Sequence, residues 1–439
     1  MKIVLMFGTR PEIIKMAPII DEVFKKSLKL ILIQSGQHYD YEMSDQFFED
    51  LKLPSPDYNL SVGSGKHGEQ TGKMMERIEK VLIEEKPDVV LVHGDTNTAL
   101  SGFLVASKLH VPVCHVEAGL RSYSNTTPEE INRKMIDVCC ELYFAPTEES
   151  AINLSLEGVS REKIFITGNT IVDVCLRNRL KISKKQLNKN HELRNLINLD
   201  NIITLTIHRA ENVDNKKSLN NIVDVLCEME HANIIFPIHP RTKKALKRFD
   251  LYEKLFNLNH VHSINPLGYL DFLLLLSNSS LILTDSGGLQ EEAIILNIPI
   301  LTLRNNTDRP ETVTAGGNIL VGFQKEKILK LTNCILNNED IANKMKNAKN
   351  PYGNGNSAEK IVDIILNSYE NNELKIESVE NIINNFTLKI VEVKENINVF
   401  DFEKKNNAKI RIVYDKNKSK FPINDLNLKN KFILYDQIG

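Results

Sequence analysis

Three segments of this chain place acids and histidines just past the end of an apolar run. They are His93-Gly94-Asp95-Thr96-Asn97-Thr98, His115-Val116-Glu117-Ala118-Gly119-Leu120-Arg121 and Thr206-Ile207-His208-Arg209-Ala210-Glu211-Asn212. A fourth, Pro128-Glu129-Glu130-Ile131-Asn132-Arg133, opens an expected helix. Carboxylates and an imidazole gathered in one cleft suit proton transfer at carbon and expulsion of a leaving group. Any one of these acids alone reads equally well as a helix cap or an ion-pair partner, so the chemistry is read from the set. Metal binding is the rival reading, but the eleven His and six Cys show no HxxxH, HExxH or CxxC spacing.

Two further segments suit anions. Thr284-Asp285-Ser286-Gly287-Gly288-Leu289-Gln290-Glu291-Glu292 runs from an apolar strand through two glycines into a helix. Residues without side chains let backbone N–H groups approach a diphosphate, with the helix dipole in support. Glu292 is then placed to accept hydrogen bonds from ribose hydroxyls. Gly8-Thr9-Arg10-Pro11-Glu12 ends the first strand and opens the first helix, where Arg10 and Lys15 supply positive charge. A surface turn is the plain alternative there. Gly63-Ser64-Gly65-Lys66-His67-Gly68 matches GxGxxG, but only a weak run (Tyr58–Val62) precedes it. It reads as a turn capping the helix that begins near Glu69, not as a nicotinamide site.

The elements that must hold these residues follow a repeated rhythm. Lys2–Phe7, Leu30–Ser35, Asp88–His93, Pro112–Val116, Glu141–Pro146 and Lys163–Thr167 read as strands separated by helices. Ile202–Ile207, Asn233–Pro237, Val261–Ile264, Leu281–Thr284 and Ile298–Leu303 repeat the pattern. Continuous apolar strands alternating with helices give an α/β fold of parallel, doubly wound sheets. The expectation is two Rossmann-like domains facing a cleft, residues 1–169 and 170–356. A helix at 357–367 packs back on the first, and the hinge lies near Gly168-Asn169-Thr170. From about 371 to 439 the composition turns Asn-rich, and β-formers cluster at Phe386–Val393, Lys409–Tyr414 and Phe432–Tyr435. That reads as a small β-containing appendage.

Composition limits the alternatives. The 439 residues carry a net charge of −2, which advertises neither a nucleic-acid nor a membrane-surface partner. No apolar run approaches the ~20 residues of a membrane span, and the first residues lack a signal-peptide cleavage site. Cysteines without paired spacing fit a reduced, cytoplasmic chain.

Taken in order, the segments above, with Ser35-Gly36-Gln37-His38, Ile166-Thr167-Gly168-Asn169-Thr170 and Asp308-Arg309-Pro310-Glu311, resemble the non-hydrolysing UDP-N-acetylglucosamine 2-epimerases. The resemblance runs from residue 1 to about 366. It implies a glycosyltransferase-B-type fold, a homodimer, and interconversion of UDP-N-acetylglucosamine and UDP-N-acetylmannosamine without NAD or metal. Carried over position by position, it implies that Asp95, Glu117, Glu129 and His208 form the acid–base and leaving-group set. Arg10, Lys15 and Arg209 would meet the diphosphate or sugar, and Ser286, Gly287 and Gly288 the phosphates. Glu292 would hold the ribose, Phe272 the uracil with main-chain contacts near Leu267, and Arg309 the sugar side.

Two features depart from the family pattern. Members with an allosteric site carry Arg where this chain has Glu69, although Gln37 and His38 of that site remain. The last 70-odd residues have no counterpart in the family core. A 2-epimerase of a UDP-2,3-diacetamido uronic acid is the nearest alternative, disfavoured by Arg309-Pro310-Glu311. A hydrolysing epimerase and a glycosyltransferase on the same fold are further enzyme readings. A nucleotide-sugar-binding regulator is the alternative from another class, and the full acid set speaks against it.

Overall fold

The computed structural model describes residues 1–36, 48, 51–124, 126–179, 191–374, 386–391, 408–412 and 432–437. Its first strand, β1 (Lys2–Phe7), shows why the sequence folds as it does. Ile3, Leu5 and Phe7 point into one core, and Val4 and Met6 into another on the opposite face. A strand covered on both faces must be apolar at every position, and this one is. β2 (Lys29–Gln34), β3 (Tyr58–Asn59), β4 (Val89–His93), β5 (Val113–Val116), β6 (Leu142–Ala145) and β7 (Ile164–Ile166) complete the sheet. The order is β3-β2-β1-β4-β5-β6-β7, with parallel pairing throughout.

A second parallel sheet repeats the plan. β8 (Ile202–Thr206), β9 (Asn233–Pro237), β10 (Val261–Ile264), β11 (Leu281–Thr284), β12 (Ile300–Thr302) and β13 (Asn318–Leu320) take the order β10-β9-β8-β11-β12-β13. The sixth strand, β13, lies beyond the five expected; three residues are too few to show a period. In each sheet the strand order reverses beside the first strand, between β1 and β4 and between β8 and β11. Crevices at such reversals, beyond the carboxyl ends of the strands, are where open α/β sheets bind ligands. Asp95 follows β4, Arg10 follows β1, His208 follows β8 and Ser286 follows β11.

The helix Ser357–Glu370 returns to the first sheet, where Ala358, Ile361, Val362 and Ile365 are buried beside the helix Arg10–Lys25. Leu374 reaches the same core. The compact unit containing both sheets spans Met1–Leu374, and Lys375–Gly439 form a second unit. In the latter, β14 (Phe386–Val391), β15 (Ala408–Ile412) and β16 (Phe432–Gln437) pair antiparallel in the order β14-β16-β15. The Gly63–Gly68 segment leads into the helix His67–Glu85, whose N-cap is Lys66. Glu69 sits exposed on its first turn, 2.6 Å from Lys73. Gln37 and His38 lie outside the described residues. Among the described residues no helix is long and apolar enough to cross a membrane.

This packing sets the point at which the chain can be cut. A chain ending at Leu374 keeps every core residue of the first unit and is expected to unfold within a few degrees of full-length protein. Ile361→Ala in that chain should cost about 2–5 kcal/mol, read by chemical denaturation, because it opens a cavity in the core. Aggregation of the 1–374 chain would contradict the boundary.

Candidate active site

The turns after β1 and β4 are tied by one carboxylate. Glu12 Oε2 accepts hydrogen bonds from the Gly8 and Thr9 amides (2.9 and 2.8 Å) and the Thr9 hydroxyl, while Oε1 accepts from Thr96 Oγ1 at 2.7 Å. Thr9 and Glu12 thereby form the capping arrangement that starts the helix Arg10–Lys25. Burial pushes the Glu12 carboxyl up to about 7, against the pull of Thr96, Gly8 and Thr9. Arg10 donates from Nη2 to the Leu267 carbonyl at 2.8 Å, joining the turn after β1 to the second lobe.

Behind these turns lies a buried cluster drawn from both lobes. Lys15, one turn into the first helix, hydrogen-bonds to Glu117 and lies 2.7 Å from Glu291 Oε2. Arg309 bonds to Glu291 through Nε and has Nη2 3.8 Å from Glu117 Oε1. Asn169, in the segment between β7 and the helix Thr170–Arg179, donates to Glu117 Oε1 (2.8 Å) and Glu291 Oε1 (3.1 Å). Burial opposes ionisation of Glu117, but Lys15, His93 and Arg309 outweigh it and hold the carboxyl below the usual range. Burial holds Glu291 above its ordinary value even against Arg309 and Lys15. His93 Nε2 stands 3.7 Å from Glu117 Oε2, and burial pushes its pKa down to about 4. Glu117 itself has φ +70°, a left-handed backbone rare outside glycine.

Asp95 joins this cluster through a second arginine. Arg133 bonds to Asp95 and lies 3.0 Å from Asp308 Oδ2 and 3.1 Å from Glu130 Oε2. Asp308 Oδ2 is in turn 3.1 Å from Arg309 Nη1, and Arg304 approaches its other oxygen at 3.3 Å. Burial works against the Asp308 charge, but Arg309, Arg133, Arg209 and Arg304 hold its pKa far below the carboxylate range. Asp95 keeps about a quarter of its side chain exposed. Of the Pro-Glu-Glu acids, Glu129 is exposed on the first helical turn. Glu130 is buried, accepting from the Ser122 and Tyr123 amides.

The second lobe contributes His208 and the glycine turn. Asp285 Oδ1 lies 3.2 Å from His208 Nδ1, and Asp285 Oδ2 accepts from the Arg209 amide (3.0 Å) and Asn212 Nδ2 (2.8 Å). His208 remains 42% exposed. Ser286, Gly287 and Gly288 open the helix Gly287–Ile295, and a Cβ on Gly287 would stand 3.2 Å from Asp308 Oδ1. Burial pushes Glu292 up to about 7 with Lys15 pulling the other way, and Tyr269 hydrogen-bonds to it. Phe272 lies half-buried on the helix Tyr269–Ser277.

The structure thus brings Lys15, Glu117, Asp95 and Arg309 into one network, and Arg10 to Leu267. Glu291, Asp308, Arg133 and Asn169 carry as much of that network, yet nothing in their local sequence distinguished them. The available signal is membership of a segment already notable for another residue, as with Glu291 beside Glu292 and Asp308 beside Arg309.

A family model described as UDP-N-acetylglucosamine 2-epimerase matches residues 22–366. The UDP-N-acetylglucosamine 2-epimerase of Methanocaldococcus jannaschii is 54% identical over 83% of this chain and 99% of its own. The UDP-2,3-diacetamido-2,3-dideoxy-D-glucuronate 2-epimerase of Pseudomonas aeruginosa is 39% identical over 83% and 99%. Among solved structures, M. jannaschii UDP-GlcNAc 2-epimerase in complex with UDP-GlcNAc and UDP superposes with a TM-score of 0.76 at 53% identity. It covers 84% of this chain and 100% of that one. The Neisseria meningitidis enzyme bound to UDP-GlcNAc gives 0.77 at 36% identity over the same shares.

Two stability measurements follow from the buried charges. Lys15→Met leaves two interior carboxylates short of a cation and should cost roughly 3–5 kcal/mol, with Glu291→Gln in the same chain recovering part of it. Glu12 makes a separate, pH-dependent contribution. Its folded pKa lies above its unfolded value, so the folded state binds the proton more tightly, and stability declines as pH rises from 4.5 to about 7. Glu12→Gln should flatten that decline by up to about 3 kcal/mol in denaturation curves taken across the range.

Proposed function

The chain belongs to the UDP-N-acetylglucosamine 2-epimerase family, and on that premise we propose how its cleft works. It interconverts UDP-N-acetylglucosamine and UDP-N-acetylmannosamine by eliminating UDP to 2-acetamidoglucal and adding it back. The observation that carries the mechanism is Glu117, buried yet held ionised by Lys15 and Arg309. An ionised carboxylate is ready to accept a proton; the same cations weaken it as a base, and their turning to the incoming diphosphate is what raises its basicity toward carbon. In elimination the C2 proton passes to a carboxylate, the C2–H electron pair becomes the C1=C2 bond, and the C1–O pair leaves with UDP. Re-addition runs the steps backward, with the proton delivered to the opposite face of C2. Two faces call for two acid–base groups, and Asp95, on the neighbouring strand end, is the second.

The leaving diphosphate needs cations and N–H donors. Arg10, Arg209 and the amides of Ser286, Gly287 and Gly288 supply them. His208 has Nδ1 committed to Asp285, so Nε2 is the nitrogen that meets the departing phosphate. Glu129, exposed on its helix, reaches the sugar from the open side. Glu292 takes the ribose, while Phe272 and the main chain near Leu267 take the uracil. The plain N-acetyl sugar is favoured over the diacetamido uronic acid because identity is 54% to the first kind of relative and 39% to the second.

The active form is a cytoplasmic homodimer in this reading. Ile131, Met135 and Val138 are exposed at spacings that share one side of a helix and the turn after it, which suits a protein interface. Six free thiols suit a reducing compartment.

Incubating the protein with UDP-N-acetylglucosamine alone and following the anomeric region by proton NMR tests the reaction. UDP-N-acetylmannosamine should appear and approach a fixed ratio; release of free N-acetylmannosamine or no change would contradict it. Asp95→Asn and Glu117→Gln should each lower kcat by roughly 10²–10⁴. Near-normal turnover by both, at unchanged stability, would remove them from the mechanism.

A further inference from the structure

Two buried side chains outside this cleft fix the turns that carry its carboxylates. We propose that His115 and Asp137 are positioning residues that set the separation of Asp95 and Glu117. The role rests on the epimerase reading given above. His115 lies on β5 with no exposed surface, and Asp137 is 2% exposed at the end of the helix Pro128–Ile136. The imidazole sits between two acceptors. Its Nδ1 is 2.7 Å from Asp137 Oδ1, and its Nε2 is 2.8 Å from the carbonyl of Gly94. A ring placed this way bridges the Asp137 carboxylate and the Gly94 carbonyl.

Gly94 is the residue before Asp95 and has φ +63°. Its amide donates to the Val116 carbonyl at 3.0 Å, so both of its backbone groups are held by consecutive residues of β5. Asp137 reaches the other carboxylate's turn. Its Oδ2 accepts the Gly119 amide at 3.1 Å, and Arg121 Nη1 lies 2.7 Å away. Gly119 has φ +82°, and a Cβ there would stand 2.2 Å from the Ser150 carbonyl, so only glycine fits this turn. Glu117, two residues earlier, is held at φ +70°. The path Gly94–His115–Asp137–Gly119 therefore links the backbone under Asp95 to the backbone beyond Glu117. Among the described residues, neither linking side chain bonds to Lys15, Glu117, Asp95 or Arg309.

A misplacement of one carboxylate relative to the other should slow proton transfer without weakening nucleotide binding. His115→Gln keeps only one amide to serve two acceptors. Asp137→Asn keeps the shape and loses the charge. With concentrations normalised to folded protein, each variant should lower kcat roughly 10–100-fold, with KM for UDP-N-acetylglucosamine and affinity for UDP within about threefold of wild type. The double variant should lose no more than the weaker single variant, because both act through one path. If Asp137→Asn does not fold, having left Arg121 with Glu157 alone, His115→Gln decides the matter. Unchanged kcat in folded His115→Gln, a loss carried by KM, or multiplying losses in the double variant would each overturn the role. Wild type measured in parallel separates this from the reaction itself. An inactive wild type would overturn the proposed reaction and this role with it.

Discussion

Glu117 and Glu291 come from different lobes and are buried around the same two cations, and most of the first unit's cleft depends on how that proximity is tolerated. Two interior carboxylates repel, and burial makes each harder to ionise. Lys15 and Arg309 lie between them, with Asn169 donating to both. Desolvating such a cluster costs several kcal/mol per ion, so it contributes little net stability, whereas losing one member leaves a charge stranded. Its value lies in geometry. It fixes one charged carboxylate at the end of β5 and ties Asn169 and both lobes to that position.

The wider network extends the same logic. Asp308 is surrounded by Arg133, Arg304 and Arg309, and Arg133 passes the connection to Asp95. Cations that neutralise carboxylates within the protein are also the cations a nucleotide diphosphate would seek. Preorganised charge of this kind lowers the cost of stabilising a leaving group because little has to reorganise during the reaction. Local backbone restrictions support it, with Gly94 and Gly119 left-handed beside Asp95 and Glu117.

Much of this was legible in the sequence because strand ends announce themselves. β1, β4, β5, β8 and β11 are apolar runs that stop at Gly8, Gly94, Glu117, Ile207 and Asp285, and the polar residues past each stop are those the sheets present to the cleft. The two-sheet plan followed from the same runs. What could not be read was pairing at a distance. Lys15 and Glu291 are 276 residues apart, and Arg133 and Asp308 are 175 apart; no period or spacing connects them. β13 escaped notice through its length, and the Leu374 boundary because a single buried leucine after a helix leaves no pattern. Glu130 shows the reverse difficulty. Its neighbour Glu129 has the same chemistry one position earlier, and only burial shows that Glu130 serves the Ser122–Tyr123 backbone.

In the proposed mechanism, a carboxylate held ionised at this junction exchanges a proton with C2 of the sugar. Turnover of UDP-N-acetylglucosamine in D2O, read at C2 by proton NMR and mass spectrometry, tests it most directly. The prediction is one deuterium at C2 of the UDP-N-acetylmannosamine formed, and the same label in recovered substrate as equilibrium is approached. Epimerised product that keeps its original C2 hydrogen would contradict the claim.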